Sequence, residues 1–507
     1  MMTKKRNSFL KTFLIFLLST FLIALGCLCY YAAAWYSETY GSIGFDSILY
    51  TLTSDLGGVD TNLIDSFLRY IVKYIPAWTM CIAALFFSCK RKIVCRLFHK
   101  IEFRLYPVKR TTALLLSFAI CLVLVGRAAV ITDFTTFLAN QGRPSTLYEE
   151  AYCDPDAVSI QFPEQKRNLI YIFLESMETT FFSEEEGGAL SYNVIPELHQ
   201  LARENLNFSH NDQIGGFSVA PGTTWTIGAM VGQTAGIPLK IPLGVNENSY
   251  GADGVFLPGV TGITDILHDN GYNLATVYGS DASFGGRLQY YTSHGVDRTY
   301  DLATAQSDGI VPEGYNNGFW GMEDLYLFEY ARQIVTGLAA EDSPFALTLL
   351  TVDTHHVSGF LCRLCESTYS EQYENVYRCS SRQAASFVSW LQQQDFYGNT
   401  TVVLVGDHPS MDGGYISRNV PGRYDRKVYN CILNAAAEAG STRNRAFSTF
   451  DMFPTTLAAM GCTIEGDRLG LGTNLFSDTP TLMEEMGRDA FEEAVSRFSE
   501  YYENTFF

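Results

Sequence analysis

The sequence predicts an α/β protein: N-terminal transmembrane helices followed by a domain with a mostly parallel sheet flanked by helices. Three observations predict it. Long apolar stretches lie within the first 132 of the 507 residues. Short apolar runs then alternate with helical segments through the remainder. Three of those runs end in acids or histidines, where open parallel sheets carry their sites. The balance of 35 Lys and Arg against 54 Asp and Glu, a formal charge of −19, speaks against a nucleic-acid partner. With 47% hydrophobic residues the chain is too apolar to be a disordered protein.

Residues 12–37 hold no charged side chain, long enough to cross a hydrocarbon core of about 30 Å as a helix. Lys4, Lys5, Arg6 and Lys11 precede them and set the N-terminus on the cytoplasmic side. A second span is expected near residues 66–89, with Arg69 and Lys73 early in it, and a third at 111–132, with Arg127 near its far end. Residues 90–110 between them carry eight Lys and Arg and one acid, Glu102, the signature of a cytoplasmic loop. Everything beyond about residue 133 is then outside. Lys and Arg number 15 against 6 acids through residue 131, leaving 20 against 48 for the exported part. Ala32, Ala33 and Ala34 also offer a cleavage site, and residues 24–27 a weak lipidation box, so a processed leader stays open. The expected organisation is a membrane anchor at 1–132, a connector at 133–165, a catalytic domain at 166–480 and a helical tail at 481–507.

In the exported part, residues 168–174 (NLIYIFL), 273–278, 344–352, 400–405 and 428–433 are apolar runs of strand length, rich in branched and aromatic residues. Helical spacing marks 195–206, 382–394 and 451–460. Such alternation implies strands buried on both faces. Six cysteines lie here. Cys362 and Cys365 form a lone CxxC with no second pair at zinc-finger spacing, so a zinc site is not expected. A loop disulfide between Cys365 and Cys379 is the favoured pairing.

The first run ends in Glu175, the fourth is followed by Asp407 and His408, and the third by Asp353, Thr354, His355 and His356. Glu175, Asp407 and His408 make a hard donor set with one nitrogen, suited to manganese, with magnesium or zinc as alternatives. The segment FSVAPGTTWTIGAMVGQTAGIPL, residues 217–239, turns at Pro221-Gly222 and opens a helix-like stretch. A threonine there faces the positive end of a helix dipole and can act as nucleophile near a metal. Thr223 is the first candidate, with Thr224 and Thr226 competing. Adjacent His355 and His356 are expected to diverge, so that one reaches the site. Arg287 can clamp a phosphate through its fork of donors.

Taken in order, NLIYIFLESME, PGTTWTIGAMVGQTAGIPL, LTLLTVDTHH, VVLVGDH and DMFPTTLAAMG with LGLGTNLFS resemble the membrane-anchored phosphoglycerol transferases of the alkaline-phosphatase/sulfatase superfamily. The likeness is to the phosphoglycerol transferase I branch, with lipoteichoic acid synthases as relatives, and it covers about residues 166–475. It implies a bacterial cytoplasmic-membrane enzyme with its catalytic domain outside. It assigns Glu175, Asp407, His408 and Thr223 to the metal, Thr223 as nucleophile, Arg287 and His355 to the glycerophosphate group, and His355 as a general base. The implied donor is phosphatidylglycerol in the outer leaflet. The implied acceptor is a glycan or a growing polyglycerophosphate chain. A phosphoethanolamine transferase, or another phosphodiester hydrolase or transferase of the superfamily, is the alternative. Two departures from lipoteichoic acid synthases are Tyr278 in place of a His and Gly285 in place of a Trp.

Overall fold

In a computed structural model of the chain, residues 2–41, 44–53, 61–87, 93–97, 101–105, 109–240, 255–312 and 314–507 are described. Two compact units emerge: residues 1–42 with 60–136, and residues 43–59 with 137–507.

The first unit is built on the helices Met2–Tyr40, Thr61–Phe87 and Arg110–Ile131. Two segments, Leu10–Tyr40 and Arg110–Ile131, are long and apolar enough to cross a membrane. Their outward residues are apolar, among them Phe21, Leu122 and Val123, as a lipid-facing surface requires. Where the first helix meets the third, a Cβ on Gly26 would stand 3.0 Å from the Cys121 Cα. A glycine there lets the two backbones close up. Trp35, Tyr31, Tyr70 and Tyr74 lie along the first two helices, with Tyr31 stacked on Tyr74 at 5.1 Å. Such amphipathic rings suit a membrane–water interface. Within the basic stretch, Ile93–Leu97 pairs antiparallel with Ile101–Leu105. The end of the second expected span at 88–89 and the rest of the loop through 108 lie outside the described residues.

The second unit is organised by a seven-stranded sheet. In chain order its strands are β1 (Asn168–Leu174), β2 (Gly216–Phe217), β3 (Asn273–Tyr278), β4 (Arg298–Tyr300), β5 (Phe345–Leu350), β6 (Thr400–Gly406) and β7 (Val428–Leu433). The spatial order is β2-β7-β6-β1-β5-β3-β4. β6, β1, β5, β3 and β4 run parallel, whereas β7 is antiparallel to both β6 and β2. The mostly parallel sheet read from the sequence is therefore the sheet observed. Every residue of β1, β5, β6 and β7 is buried. Along β1, Leu169, Tyr171 and Phe173 join a core with the helices Thr226–Ala235 and Met452–Ala459. Ile170, Ile172 and Leu174 join a second core with Pro196–Glu204, Asp324–Ala339 and Gln372–Leu391. Period-two alternation with both faces covered is the reason the run is continuously apolar. Three C-terminal helices, Leu482–Met486, Arg488–Ser496 and Glu500–Phe506, send Phe491, Val495, Tyr502 and Phe506 into the first core.

The expected Cys365–Cys379 disulfide is not formed. Both are free thiols, and each is grouped with Cys362.

Candidate metal and nucleophile site

The parallel strands β6, β1, β5 and β3 are consecutive neighbours, so the residues following them share one edge of the sheet. Glu175 follows β1, and Asp407 and His408 follow β6. Each offers a ligand atom within 4.8 Å of the others, and all three are buried. Backbone fixes the cluster. Ser176 adopts a left-handed φ of 55°, sparsely populated by residues with a side chain and typical of constrained functional positions. That turn aims its N–H at Asp407 Oδ1 (2.7 Å), which also accepts from the His408 N–H (2.7 Å). The Ser176 hydroxyl donates to Glu175 Oε1 at 2.7 Å. A Cβ on Gly406 would sit 1.9 Å from the Met177 carbonyl oxygen, so only glycine allows this close approach of the two chain segments.

The donor chemistry fits a cation. His408 Nδ1 donates to the Pro409 carbonyl at 2.9 Å, which leaves the lone pair on Nε2. Nε2 faces Asp407 Oδ2 at 3.3 Å and Glu175 Oε1 at 3.8 Å. Asp407 Oδ2 is buried and has no hydrogen-bond partner. Among the described residues no Lys or Arg forms an ion pair with either carboxylate. Burial, and then the Asp407 charge, raises the Glu175 carboxyl. Burial likewise raises Asp407. Burial alone would lower His408, but the two carboxylates outweigh it and raise the imidazole. Two buried carboxylates beside an imidazole whose Nε2 faces both form a donor set that suits a divalent ion.

Two of the three candidate threonines, Thr223 and Thr226, have hydrogen-bond partners that separate them. Gly222 takes a φ of 77°, where a Cβ would meet Pro238 Cβ at 2.7 Å. The turn it makes buries Thr223, whose hydroxyl donates to the Ala220 carbonyl at 2.7 Å and lies 3.0 Å from Thr449 Oγ1. The Thr223 methyl packs against Gly232 inside the following helix. Thr223 is thus committed to the turn. Thr226 is the first residue of the helix Thr226–Ala235, and its Oγ1 stands 3.4 Å from His408 Nε2. The structure brings Thr226, not Thr223, to the cluster. Gln233 holds that helix in register, a residue sequence reasoning passed over. Its amide donates to the Gly406 and Asp407 carbonyls (3.0 and 3.3 Å) and accepts from Tyr171 (2.9 Å). The available signal was an amide in an otherwise small and apolar helix.

β5 ends at Leu350, and the chain turns before the histidine pair. Strand alternation therefore does not apply, and both rings stay near the cluster. They stack at 4.2 Å. His355 is close enough to Glu175 to favour its charged form. Burial, then charge at His355 and His408, holds His356 neutral. His355 Nδ1 donates to the His356 carbonyl at 2.8 Å, which leaves Nε2 as the nitrogen for proton transfer. Arg287 is buried beyond β3. It donates to Phe284 O (2.9 Å), Ser280 Oγ (2.9 Å) and Asp281 O (2.6 Å), with its guanidinium 5.1 Å from the Tyr278 ring. Tyr278, one of the two departures noted above, thus lies against this cation, and Gly285, the other, takes a left-handed φ of 66° in the turn before it.

Glu178 and Arg426 were also missed in sequence. Glu178 is fully buried, pairs with Arg426 through both carboxylate oxygens, and accepts from the Ser410 N–H at 3.0 Å. Arg426 donates in turn to the Ser410 carbonyl at 2.7 Å. The pair braces the chain just after His408. Arg426→Met leaves a buried carboxylate uncompensated, so a loss of about 3 kcal/mol is expected. Thermal unfolding of the full chain in detergent checks it, and an unchanged melting temperature contradicts it.

A sulfatase family model matches residues 167–462. Phosphoglycerol transferase I of Xanthomonas campestris pv. campestris is 32% identical over 329 residues, covering 63% of this chain and 44% of that protein. Phosphoglycerol transferase I of Escherichia coli is 28% identical over 439 residues, covering 85% and 53%. The chain spans about half the length of the curated relatives it matches. Among solved structures, the integral membrane lipooligosaccharide phosphoethanolamine transferase A of Neisseria meningitidis aligns with a TM-score of 0.50 at 15% identity, covering 95% of this chain and 87% of that one. At that identity the likeness concerns the fold.

Proposed function

Because the chain belongs to the sulfatase family, we propose that it is a membrane-anchored phosphoglycerol transferase, moving glycerophosphate from phosphatidylglycerol to an extracytoplasmic glycan or glycerol acceptor. The observation that carries this reading is the Thr226 hydroxyl at a helix N-terminus, 3.4 Å from His408 in the Glu175–Asp407–His408 cluster. The similarity to phosphoglycerol transferase I supports the choice of headgroup. A divalent ion held by Glu175, Asp407 and His408, manganese in this reading, would supply charge that favours the Thr226 alkoxide and offsets that of the phosphate.

Thr226 enters as its alkoxide. A bond forms from Oγ1 to phosphorus, and the bond from phosphorus to the diacylglycerol oxygen breaks. His355, positioned by its Nδ1 bond to the His356 carbonyl, gives a proton from Nε2 to the leaving oxygen. In the second step neutral His355 takes the proton of the acceptor hydroxyl, which displaces Thr226 as the alkoxide. The cycle returns every group to its starting form. Arg287 supplies a buried, stacked cation for the headgroup phosphate.

A lipid donor accords with the apolar surface beside the site. Val357, Leu361 and Leu364, on the loop after the histidines, are each about half exposed. Three membrane spans, a cytoplasmic N-terminus and an exported domain over about 166–480, with 133–165 as connector and 481–507 as tail, complete the proposal. It places the enzyme in the bacterial cytoplasmic membrane. The test is transfer from headgroup-labelled lipids by the full chain in vesicles. Label from phosphatidylglycerol reaching acceptor, with diacylglycerol released, is expected, whereas transfer from phosphatidylethanolamine alone overturns the donor. In the same assay Arg287→Lys, which loses the fork of bonds, should raise KM about tenfold or more. An unchanged KM removes Arg287 from headgroup binding.

A further inference from the structure

Among the described residues, one cluster of ligating side chains outside the candidate active site is unused: Cys362, Cys365 and Cys379. Cys379 projects from the helix Gln372–Leu391, and the other two sit on the loop that leads from the histidine pair to that helix. Their sulfurs lie within 4.8 Å of one another. Cys362 Sγ is 3.7 Å from Cys379 Sγ and 3.7 Å from Cys365 Sγ. Tetrahedral thiolates at about 2.3 Å from zinc have their sulfurs roughly 3.8 Å apart.

We propose that Cys362, Cys365 and Cys379 form a three-thiolate site for a thiophilic divalent cation, zinc, that clamps the loop behind His355 to the helix carrying Cys379.

Two further features support it. The CxxC segment is folded as a ligand turn: Cys365 N–H donates to the Cys362 carbonyl at 3.1 Å, and Leu364 N–H donates to Cys362 Sγ at 3.4 Å. Backbone N–H groups aimed at sulfur stabilise thiolate charge and orient the ligand. On the far side Gln383 Nε2 stands 3.4 Å from Cys379 Sγ and 3.9 Å from Cys362 Sγ, with Arg382 Nη2 4.0 Å from Cys379 Sγ. A disulfide would consume two sulfurs and leave the third beside it. A metal uses all three, and among the described residues the fourth position has no His, Cys or carboxylate partner, so water completes it.

The site is separable from the active site by spectroscopy, because thiolate ligands give cobalt an intense near-ultraviolet charge-transfer band that oxygen and imidazole ligands do not. The full chain in detergent, reduced and chelator-stripped, is titrated with Co2+. One equivalent producing that band, bleached by Zn2+ and retained in Asp407→Asn, is the expected result. Cys379→Ser should weaken zinc binding by more than about a hundredfold, beyond the loss caused by outer-shell changes. Should that variant unfold, Cys365→Ser, at a partly exposed position, should show the same loss with a native melting profile. Absence of the thiolate band in the reduced wild type overturns the proposal. So does chain isolated under alkylating conditions as a linked cysteine pair without zinc.

Discussion

Thr226→Ala abolishes transfer, lowering kcat by about 10⁴-fold or more, as loss of an attacking group does. Thr226→Ser, which keeps the hydroxyl at the first helical position, retains a measurable rate. Thr223→Ala gives the opposite pattern. Among the described residues its hydroxyl bonds the Ala220 carbonyl and Thr449 alone, so removal costs about 1–2 kcal/mol of stability and leaves kcat within a few-fold. Headgroup-release assays beside melting curves separate the two. Full activity in Thr226→Ala with none in Thr223→Ala would reverse the assignment.

Asp407→Asn has the second largest effect. The amide preserves volume and can still accept from the Ser176 and His408 N–H groups through its oxygen, but the charge facing His408 is gone. Metal affinity should fall by more than about a hundredfold, and the rate by several kcal/mol of transition-state stabilisation, about 10³-fold. The metal-free protein should respond oppositely. Burial raises the folded-state values of Asp407 and Glu175. The stability they contribute is complete below the ordinary carboxylate range, ~4, and is lost as pH rises through the raised folded values. Metal-free Asp407→Asn should therefore melt higher at neutral pH than metal-free wild type, while wild type alone gains on adding manganese. Equal metal responses in the two would contradict the ligand assignment.

Why the sequence disclosed some of this and not the rest has physical reasons. β1, β3 and β7 matched their predicted runs because strands covered on both faces must be continuously apolar. β2, two residues long, and β4, whose residues are only half-buried, are edge strands with too little pattern to read. The gathering of Glu175, Asp407 and His408 followed from strand ends alone. The choice among Thr223, Thr224 and Thr226 did not, because it depends on where a helix starts, and the spacing from Gly236-Ile237-Pro238 does not fix that. The Thr223 turn spends three residues before Thr226 opens the helix. Gln233, Glu178 and Arg426 act through contacts between segments distant in sequence, which leave no local trace. The sequence reading paired Cys365 with Cys379 but not Cys362 with either, because the fold that brings all three sulfurs together leaves no local trace.

The most direct measurement is intact mass and peptide mapping of the full chain quenched during incubation with manganese and phosphatidylglycerol, without acceptor. A glycerophosphate adduct on Thr226, absent from Thr226→Ala and present in Thr223→Ala, is the result this account predicts. An adduct on Thr223, or turnover with no covalent adduct on any residue, would contradict it.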